Sequence, residues 1–169
     1  MSTGMETERK FIVKIPDFSL LEQQIGYTVS HIHQTYLTSE CGVTRRVRMR
    51  EYADRTEYYE TKKTRVSALS AIEEENLLSR ERYLTLLGEQ AEGTRTLQKT
   101  RHTIPHGDLV WEFDVYPEWH GTCIMEVELP CEEYDLSLPS FVCVVEEVTG
   151  RREYTNAAMS RIFPAEIDL

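Results

Sequence analysis

Polar and apolar side chains alternate along most of this sequence with a period of two. Such alternation predicts β-strands, because successive side chains of a strand point to opposite faces of a sheet. The pattern recurs in eight segments, a number that is typical of a barrel. The predicted strands are 5–14, 30–38, 44–53, 56–66, 71–77, 96–104, 109–116 and 122–129.

Three segments between or after the strands have the spacing of helices instead. Residues 77–92 have apolar side chains that suit one helical face, and Ser79 is a suitable N-cap. Shorter helices are predicted for 18–25 and 154–162. The segment 105–108, Pro-His-Gly-Asp, predicts a hairpin turn between the sixth and seventh strands, so these two strands should be antiparallel neighbours.

Charged side chains collect on one face of these strands, and each strand carries mainly one sign of charge. Like charges in one strand repel, so this arrangement is more plausible if a ligand of opposite sign relieves the repulsion. The simpler alternative is a set of amphipathic strands with one solvated face, which is the usual meaning of alternating charge. The face carries Glu6, Glu8, Lys10, Arg46, Arg48, Arg50, Thr61, Lys63, Arg65, Glu73, Glu75, Lys99, Arg101, Glu112, Asp114, Glu126 and Glu128.

The segregation of charge indicates the chemistry of the ligand. Basic triplets fit an anion with several charges, whereas carboxylate pairs fit hard cations. A phosphate chain bound together with Mg²⁺ or Mn²⁺ meets both needs. Closing the strands into a barrel would enclose the polar faces as a tunnel, although parity alone does not distinguish a closed barrel from an open curved sheet.

Composition excludes several other classes of protein. The net charge of −10 argues against a general nucleic-acid binder. No apolar run approaches the roughly 20 residues of a membrane span, and the charged N-terminus does not fit a signal peptide, so we expect a cytoplasmic protein that does not contact membranes. The four cysteines form no CxxC pair, which argues against a structural metal or a disulfide framework. A chain of 169 residues suits one domain, predicted to span 1–169.

The stretch Glu6-Thr7-Glu8-Arg9-Lys10 resembles the ExExK signature of the CYTH, or triphosphate tunnel metalloenzyme, superfamily. The order of later residues is similar as well, and the resemblance covers essentially the whole chain. The matching residues are Gln34 and Tyr36, Arg48 and Arg50, Thr61 and Lys63, Glu73 and Glu75, Lys99-Thr100-Arg101, Trp111-Glu112-Phe113-Asp114, Glu126-Val127-Glu128, Glu147-Val148-Thr149 and Tyr154-Thr155-Asn156.

This resemblance implies a mainly β (α+β) fold, an eight-stranded antiparallel closed β-barrel with a polar interior and flanking helices. It also implies metal-dependent hydrolysis of inorganic tripolyphosphate or a related small triphosphate, with Mg²⁺ or Mn²⁺ as cofactor. Three alternatives stay open: a CYTH-type (class IV) adenylate cyclase, a thiamine triphosphatase, and a non-catalytic sensor, which would be expected to lack the metal carboxylates. Residue identity does not fix the oligomeric state, so a homodimer is also open.

The site residues implied by the resemblance fall into three groups. Glu6, Glu8, Glu126 and Glu128 resemble metal ligands. Four further carboxylates would either bind a second metal or order the basic residues through ion pairs, namely Glu73, Glu75, Glu112 and Asp114. The implied phosphate ligands are Lys10, Arg48, Arg50, Lys63, Arg65, Lys99 and Arg101. A one-residue slip of the fourth strand would turn Lys62 inward in place of Lys63.

The implied catalytic pair is Lys99 with Tyr36. In some members of the family, a tunnel lysine paired with a tyrosine is thought to activate water. An amine among several cations has a lowered pKa, which suits such a role. The alternative is that Lys99 only binds phosphate and that the metal activates the attacking water.

Overall fold

The computed structural model describes residues 1–169 and consists mainly of one antiparallel β-sheet. Its strands are β1 (Ser2–Lys14), β2 (Thr28–Leu37), β3 (Val43–Glu51), β4 (Thr56–Arg65), β5 (Ser70–Leu78), β6 (Leu97–His106), β7 (Leu109–Val115), β8 (Thr122–Glu128) and β9 (Val144–Glu147). The helices are short, namely α1 (Phe18–Leu21), α2 (Arg80–Leu86) and α3 (Asn156–Met159), with single 3₁₀ turns at Leu87–Glu89 and Arg152–Tyr154. No helix has the length and apolar character that a membrane crossing requires.

Strands β1 to β8 close into a barrel because β1 pairs on both of its sides. Its residues 2–7 pair with β5, and its residues 8–14 pair with β8. The other neighbours follow the order β5-β4-β3-β2-β6-β7-β8-β1, and every pair is antiparallel. The closed eight-stranded barrel confirms the predicted fold class, and the hairpin turn is present between β6 and β7 with Gly107 at φ +63°.

The helices and one strand differ from the prediction. Ser79 caps α2 as expected, since its hydroxyl accepts a hydrogen bond from the Arg82 N–H, but β5 pairs with β4 as far as Leu78 and delays the start of the helix. The predicted helix 154–162 is interrupted by Thr155, which is extended and caps α3 instead. Strand β9 was not predicted, because its four residues, Val-Val-Glu-Glu, lack alternation and it forms by pairing with β1.

Apolar side chains occupy the outer face of the barrel and also one end of its interior. On the outer face, Trp111, Phe113 and Met125 are buried beneath α1 and the segment after β8. Inside, Ile12, Tyr36, Leu97, Tyr116 and Ile124 pack against Trp119, Tyr154 and Met159 from the segments after β7 and β9. The predicted polar interior is therefore limited to part of the barrel, because apolar side chains fill the remainder.

Candidate functional site: a charged tunnel through the barrel

A cavity of about 1110 Å³ lies inside the barrel, and charged side chains form most of its wall. Almost all of the face predicted from parity contributes to it. The residues of β1 to β8 that carry polar or charged side chains into the cavity are Glu6, Glu8, Lys10, Tyr36, Thr44, Arg46, Arg48, Arg50, Thr61, Lys63, Arg65, Glu73, Glu75, Arg101, Glu112, Glu126 and Glu128. Of the predicted site residues, only Lys99 and Asp114 are missing from this wall.

The cavity extends along most of the length of β3. Arg50 lies near the end of β3 and Thr44 near its start, six residues away, which is about 20 Å along a strand. At the Thr44 end, the wall is completed by Arg152 and Arg161 from the C-terminal segment. Sequence reasoning missed these two arginines because they lie outside the strands, where alternation says nothing about direction.

Strand β3 presents Arg46, Arg48 and Arg50 to the cavity, a row that we name the arginine wall. Arg48 donates two hydrogen bonds to Gln34 Oε1, at 3.1 and 2.8 Å, and forms no ion pair. The nearest carboxylate to Arg46 is Glu73 at 4.0 Å, and Arg46 Nε is buried without a hydrogen-bond partner.

Within the arginine wall, Arg48 carries a buried positive charge with little internal compensation. Burial would lower the pKa of Arg46, but nearby Tyr36 and Glu73 outweigh it and raise this pKa. Burial, together with the neighbouring guanidinium groups of Arg46 and Arg101, lowers the pKa of Arg48 to about 10. The charged form is thus less stable here than in water, and an anion placed in the cavity would stabilise it.

Strands β6 and β7 contribute a second group, Lys99, Arg101 and Asp114, which we name the buried charge cluster. Asp114 accepts hydrogen bonds from Arg101 Nε at 2.6 Å, from Arg101 Nη2 at 2.7 Å and from Lys99 Nζ at 2.5 Å. Burial alone would raise the pKa of Asp114, but Arg101 and Lys99 outweigh it and hold this pKa at about 2. Burial also lowers the pKa of Lys99 to about 7. Here each charge has a partner of opposite sign.

The predicted metal carboxylates lie on β1 and β8, which are neighbouring strands. Glu8 is directly opposite Glu128 in the β1–β8 register, and Lys10 is opposite Glu126. Glu8 forms no ion pair, and burial together with nearby Glu126 raises its pKa to about 7. The pKa of Glu128 is raised as well, by burial and by Glu6. Both carboxylates are thus short of positive charge.

Other carboxylates of the wall already contact cations. Lys63 Nζ lies 2.5 Å from Glu6 and 2.9 Å from Glu73, and Lys10 Nζ lies 3.1 Å from Glu126. Arg101 contacts both Glu112 and Glu126. In this arrangement, no three acidic side chains are close enough together to hold a metal ion. The carboxylates of the wall nevertheless suit a hard divalent cation, which prefers oxygen ligands. Glu8 and Glu128 in particular have no ion-pair partner that would compensate their negative charge.

The structure defines the orientations of Lys63, Arg9 and Tyr36. Lys63 faces the cavity, whereas Lys62 is exposed on the outside of β4. Arg9 points away from the cavity and forms two hydrogen bonds of 2.8 Å with Glu147, so it lies outside the site. Tyr36 is in the cavity wall, and its hydroxyl accepts a hydrogen bond from Gln34.

The structure does not bring the predicted catalytic pair into contact. The Lys99 side chain is completely buried behind the cavity wall, with its ammonium on Asp114 and 5.7 Å from the centre of the Tyr116 ring. No hydrogen bond joins Lys99 to Tyr36. Alternation placed Lys99 inward and the family resemblance paired it with Tyr36, but neither could tell at which depth of the barrel each residue would lie.

Solved structures with similar folds agree with this geometry. The inorganic triphosphatase NE1496 is 27% identical over 95% of this chain and 97% of that chain, with a TM-score of 0.59. The chain has the triphosphate tunnel metalloenzyme fold. Two further solved structures show likeness of fold alone: the PH1819 protein from Pyrococcus horikoshii and a putative adenylate cyclase from Bacillus halodurans.

The identities of these two structures are lower. PH1819 is 19% identical over 76% of this chain and 80% of that chain, with a TM-score of 0.59. The Bacillus protein is 18% identical over 79% of this chain and 84% of that chain, with a TM-score of 0.51. No model of a protein family matches the sequence, and no curated protein matches it either. The tunnel fold therefore rests on the barrel topology and on the solved structures.

Proposed function

We propose that this protein hydrolyses inorganic tripolyphosphate or a related small triphosphate and that it uses Mg²⁺ or Mn²⁺. The arginine wall carries this proposal. Three guanidinium groups on one strand face the cavity, two of them are buried, and Arg48 has no anionic partner. A linear polyanion would supply the missing negative charge along the row, since guanidinium groups bind phosphate oxygens through directed hydrogen bonds. Similarity to the inorganic triphosphatase NE1496 along nearly the whole chain supports the same substrate class.

Most of the catalytic effect would come from positioning and charge stabilisation, as is usual in phosphoryl transfer. Arg46, Arg48 and Arg50 would bind one side of the phosphate chain. Lys10, Lys63, Arg65 and Arg101 would bind from the other strands. Glu6, Glu8, Glu126 and Glu128 would hold the divalent cation, which supplies further neutralisation of the phosphate charge when bound.

The two predicted catalytic residues would have different roles. Tyr36 reaches the cavity, so its hydroxyl would contact the substrate or the attacking water. Lys99 does not reach the cavity and would act as a positioning residue, because together with Arg101 it fixes Asp114 and thereby the Arg101 guanidinium. Glu112 contacts the same guanidinium, so in this proposal Glu112 and Asp114 order Arg101 instead of binding a second metal.

The proposal is tested by incubating the protein with Mg²⁺ or Mn²⁺ and, separately, with tripolyphosphate, thiamine triphosphate and ATP. Released phosphate, pyrophosphate and cyclic AMP are measured. We expect phosphate from tripolyphosphate, a strong loss of activity in Arg48→Gln, and unchanged activity in the matched control Lys62→Gln, whose side chain lies outside the barrel. Failure of the folded, metal-loaded protein to turn over any of the three substrates would contradict the enzyme assignment.

The same assay separates hydrolysis from cyclisation. Cyclic AMP and pyrophosphate as the main products from ATP would select the cyclase, and thiamine diphosphate as the preferred product would select thiamine triphosphate as substrate. A single domain over residues 1–169 and a cytoplasmic location stay predictions alongside this function.

A further inference from the structure

Within the tunnel, the lysines proposed to bind phosphate are in contact with carboxylates. Lys63 Nζ bridges Glu6 and Glu73, at 2.5 and 2.9 Å. Lys10 Nζ contacts Glu126 at 3.1 Å. Each of these ion pairs would be separated by the ligands. Phosphate attracts the ammonium group of the pair, and a divalent cation attracts the carboxylate.

We propose that Lys63 is an internal counter-ion which the ligands displace, so that an anion of the phosphate class and a divalent cation each raise the affinity of the tunnel for the other. The inference rests on the proposed function for the nature of the two ligands. It adds a specific residue that couples the binding of one ligand to the binding of the other.

The coupling follows from the position of the ammonium. When phosphate oxygens draw Lys63 away, Glu6 loses its ion-pair partner and Glu73 keeps only the more distant Arg46, at 4.0 Å. Both side chains are less than a quarter exposed, at 24% and 22%, so solvent screens the two negative charges only weakly. They should then bind a divalent cation more tightly. By linkage, the cation raises the affinity for phosphate by the same factor.

Lys63 fits this role better than the other cations of the wall. Arg101 is fixed by two hydrogen bonds to Asp114 and is nearly fully buried. Lys10 also donates a hydrogen bond to the Tyr154 carbonyl oxygen at 3.3 Å. The Lys63 ammonium contacts only carboxylates, its side chain is 23% exposed to the cavity, and its flexible stem lets it move between partners.

A purely structural role for Lys63 predicts a different outcome. Lys63 joins β4 to β5 and β1 at the seam where the barrel closes. If it served only to hold this seam, removing its charge would loosen the carboxylates and weaken cation binding. The counter-ion role predicts that removing the charge strengthens cation binding, because Glu6 and Glu73 are then free of the Lys63 ammonium.

The experiment measures Mn²⁺ binding from the electron paramagnetic resonance signal of free Mn²⁺, with and without inorganic phosphate, so no turnover is involved. For the wild-type protein, we expect phosphate to raise the Mn²⁺ affinity about fivefold or more. For Lys63→Gln, we expect a higher Mn²⁺ affinity without phosphate than the wild type has, and little further effect of phosphate. Matched protein-free samples correct for Mn²⁺ bound by phosphate itself.

Lys62→Gln is the control, because it removes the same charge one position away on the outer face of β4. It should leave both the Mn²⁺ affinity and the phosphate effect as in the wild type. Weaker or unchanged Mn²⁺ binding by folded Lys63→Gln, or a phosphate effect of equal size in both proteins, would overturn the proposal. If Lys63→Gln does not fold, Lys63→Met is used, and a wild-type protein whose Mn²⁺ affinity ignores phosphate overturns the proposal by itself.

This outcome is separable from that of the proposed function. Coupled Mn²⁺ and phosphate binding without turnover of tripolyphosphate would reject the hydrolase and keep the counter-ion. Turnover without coupling would reject the counter-ion alone.

Discussion

The arginine wall on β3 and the buried charge cluster on β6 and β7 lie in the same barrel, with only β2 between their strands. In the cluster, Asp114 binds both Arg101 and Lys99, so the charges satisfy one another. In the wall, Arg48 is just as buried, at 8% exposure compared with 6% for Arg101, yet its partner is the neutral amide of Gln34. The charges of the cluster compensate one another, whereas Arg48 of the wall retains a charge that an anionic ligand would neutralise.

This comparison shows how a polar barrel interior is divided between structure and binding. A buried charge without a partner costs stability, so its retention is more readily explained by a ligand than by folding. A buried charge with several partners can be retained without a ligand. The pairing of each charge, more than its burial, therefore separates the two regions, and each prediction below tests that separation.

The largest effect is expected when the buried charge cluster loses its carboxylate. Asp114→Asn leaves Arg101 and Lys99 without their shared counter-charge, and breaking a buried pair in this way costs about 3–5 kcal/mol. Urea denaturation of both proteins measures the free energy of unfolding. A loss below about 1 kcal/mol would show that Glu112 and Glu126 already compensate Arg101, and the distinction between the regions would then fail.

The arginine wall should respond in the opposite manner. Arg48→Gln removes a charge that has no ionic partner, so the free energy of unfolding should stay the same or rise. Its triphosphatase kcat/KM should nevertheless fall by about 10²–10³-fold, because a group that stabilises phosphate charge is lost. Activity assays and urea denaturation of the same preparation test both parts. A variant with a lower free energy of unfolding and unchanged kcat/KM would place Arg48 with the structural charges instead.

His102, on the outer face of β6, provides a third case, a partly buried base that can give up its charge. It stacks on Phe18 with ring centres 3.6 Å apart, and its Nδ1 contacts the Tyr27 hydroxyl at 2.7 Å. Burial lowers the pKa of His102 to about 4. Asp114 acts in the opposite direction and raises this pKa, whereas nearby His31 lowers it further. Unlike Arg48, the histidine avoids an uncompensated charge by staying neutral.

This pKa predicts a dependence of stability on pH. The unfolded chain, with an ordinary histidine pKa near 6.5, binds more protons than the folded protein between pH 6.5 and 4. Stability should therefore fall as the pH is lowered through that range, by about 1–3 kcal/mol from this residue. Unfolding of the wild type and of His102→Phe at several pH values measures it. Equal slopes in the two proteins would show that His102 does not contribute.

The smallest effect is expected on the outside of the barrel. Arg9→Gln removes an exposed ion pair with Glu147, which should cost less than about 1 kcal/mol. Because Arg9 points away from the tunnel, tripolyphosphate hydrolysis should be unchanged. A loss of activity comparable with that of Arg48→Gln would mean that alternation along β1 does not define the wall of the site.

Much of this arrangement could be predicted from local pattern. Side-chain direction in a strand repeats every two residues, so the sequence placed Glu6, Glu8 and Lys10 on the inner face and Arg9 on the outer one without any knowledge of strand pairing. Nearly the whole charged lining could be predicted in this way. The bounds of the third helix, strand β9 and the contributions of Arg152 and Arg161 could not, since they depend on contacts with distant parts of the chain.

The sequence by itself determined which residues face the interior, because alternation is a local property of the backbone. Tertiary structure decided which of these charges meet. The register between strands brings Lys99 to Asp114 and Lys63 to Glu6, and the apolar packing at one end leaves Lys99 behind the wall while Tyr36 reaches the tunnel. Barrel closure sets such pairings across many residues of sequence, so parity alone could not separate the compensated charges from those left for a ligand.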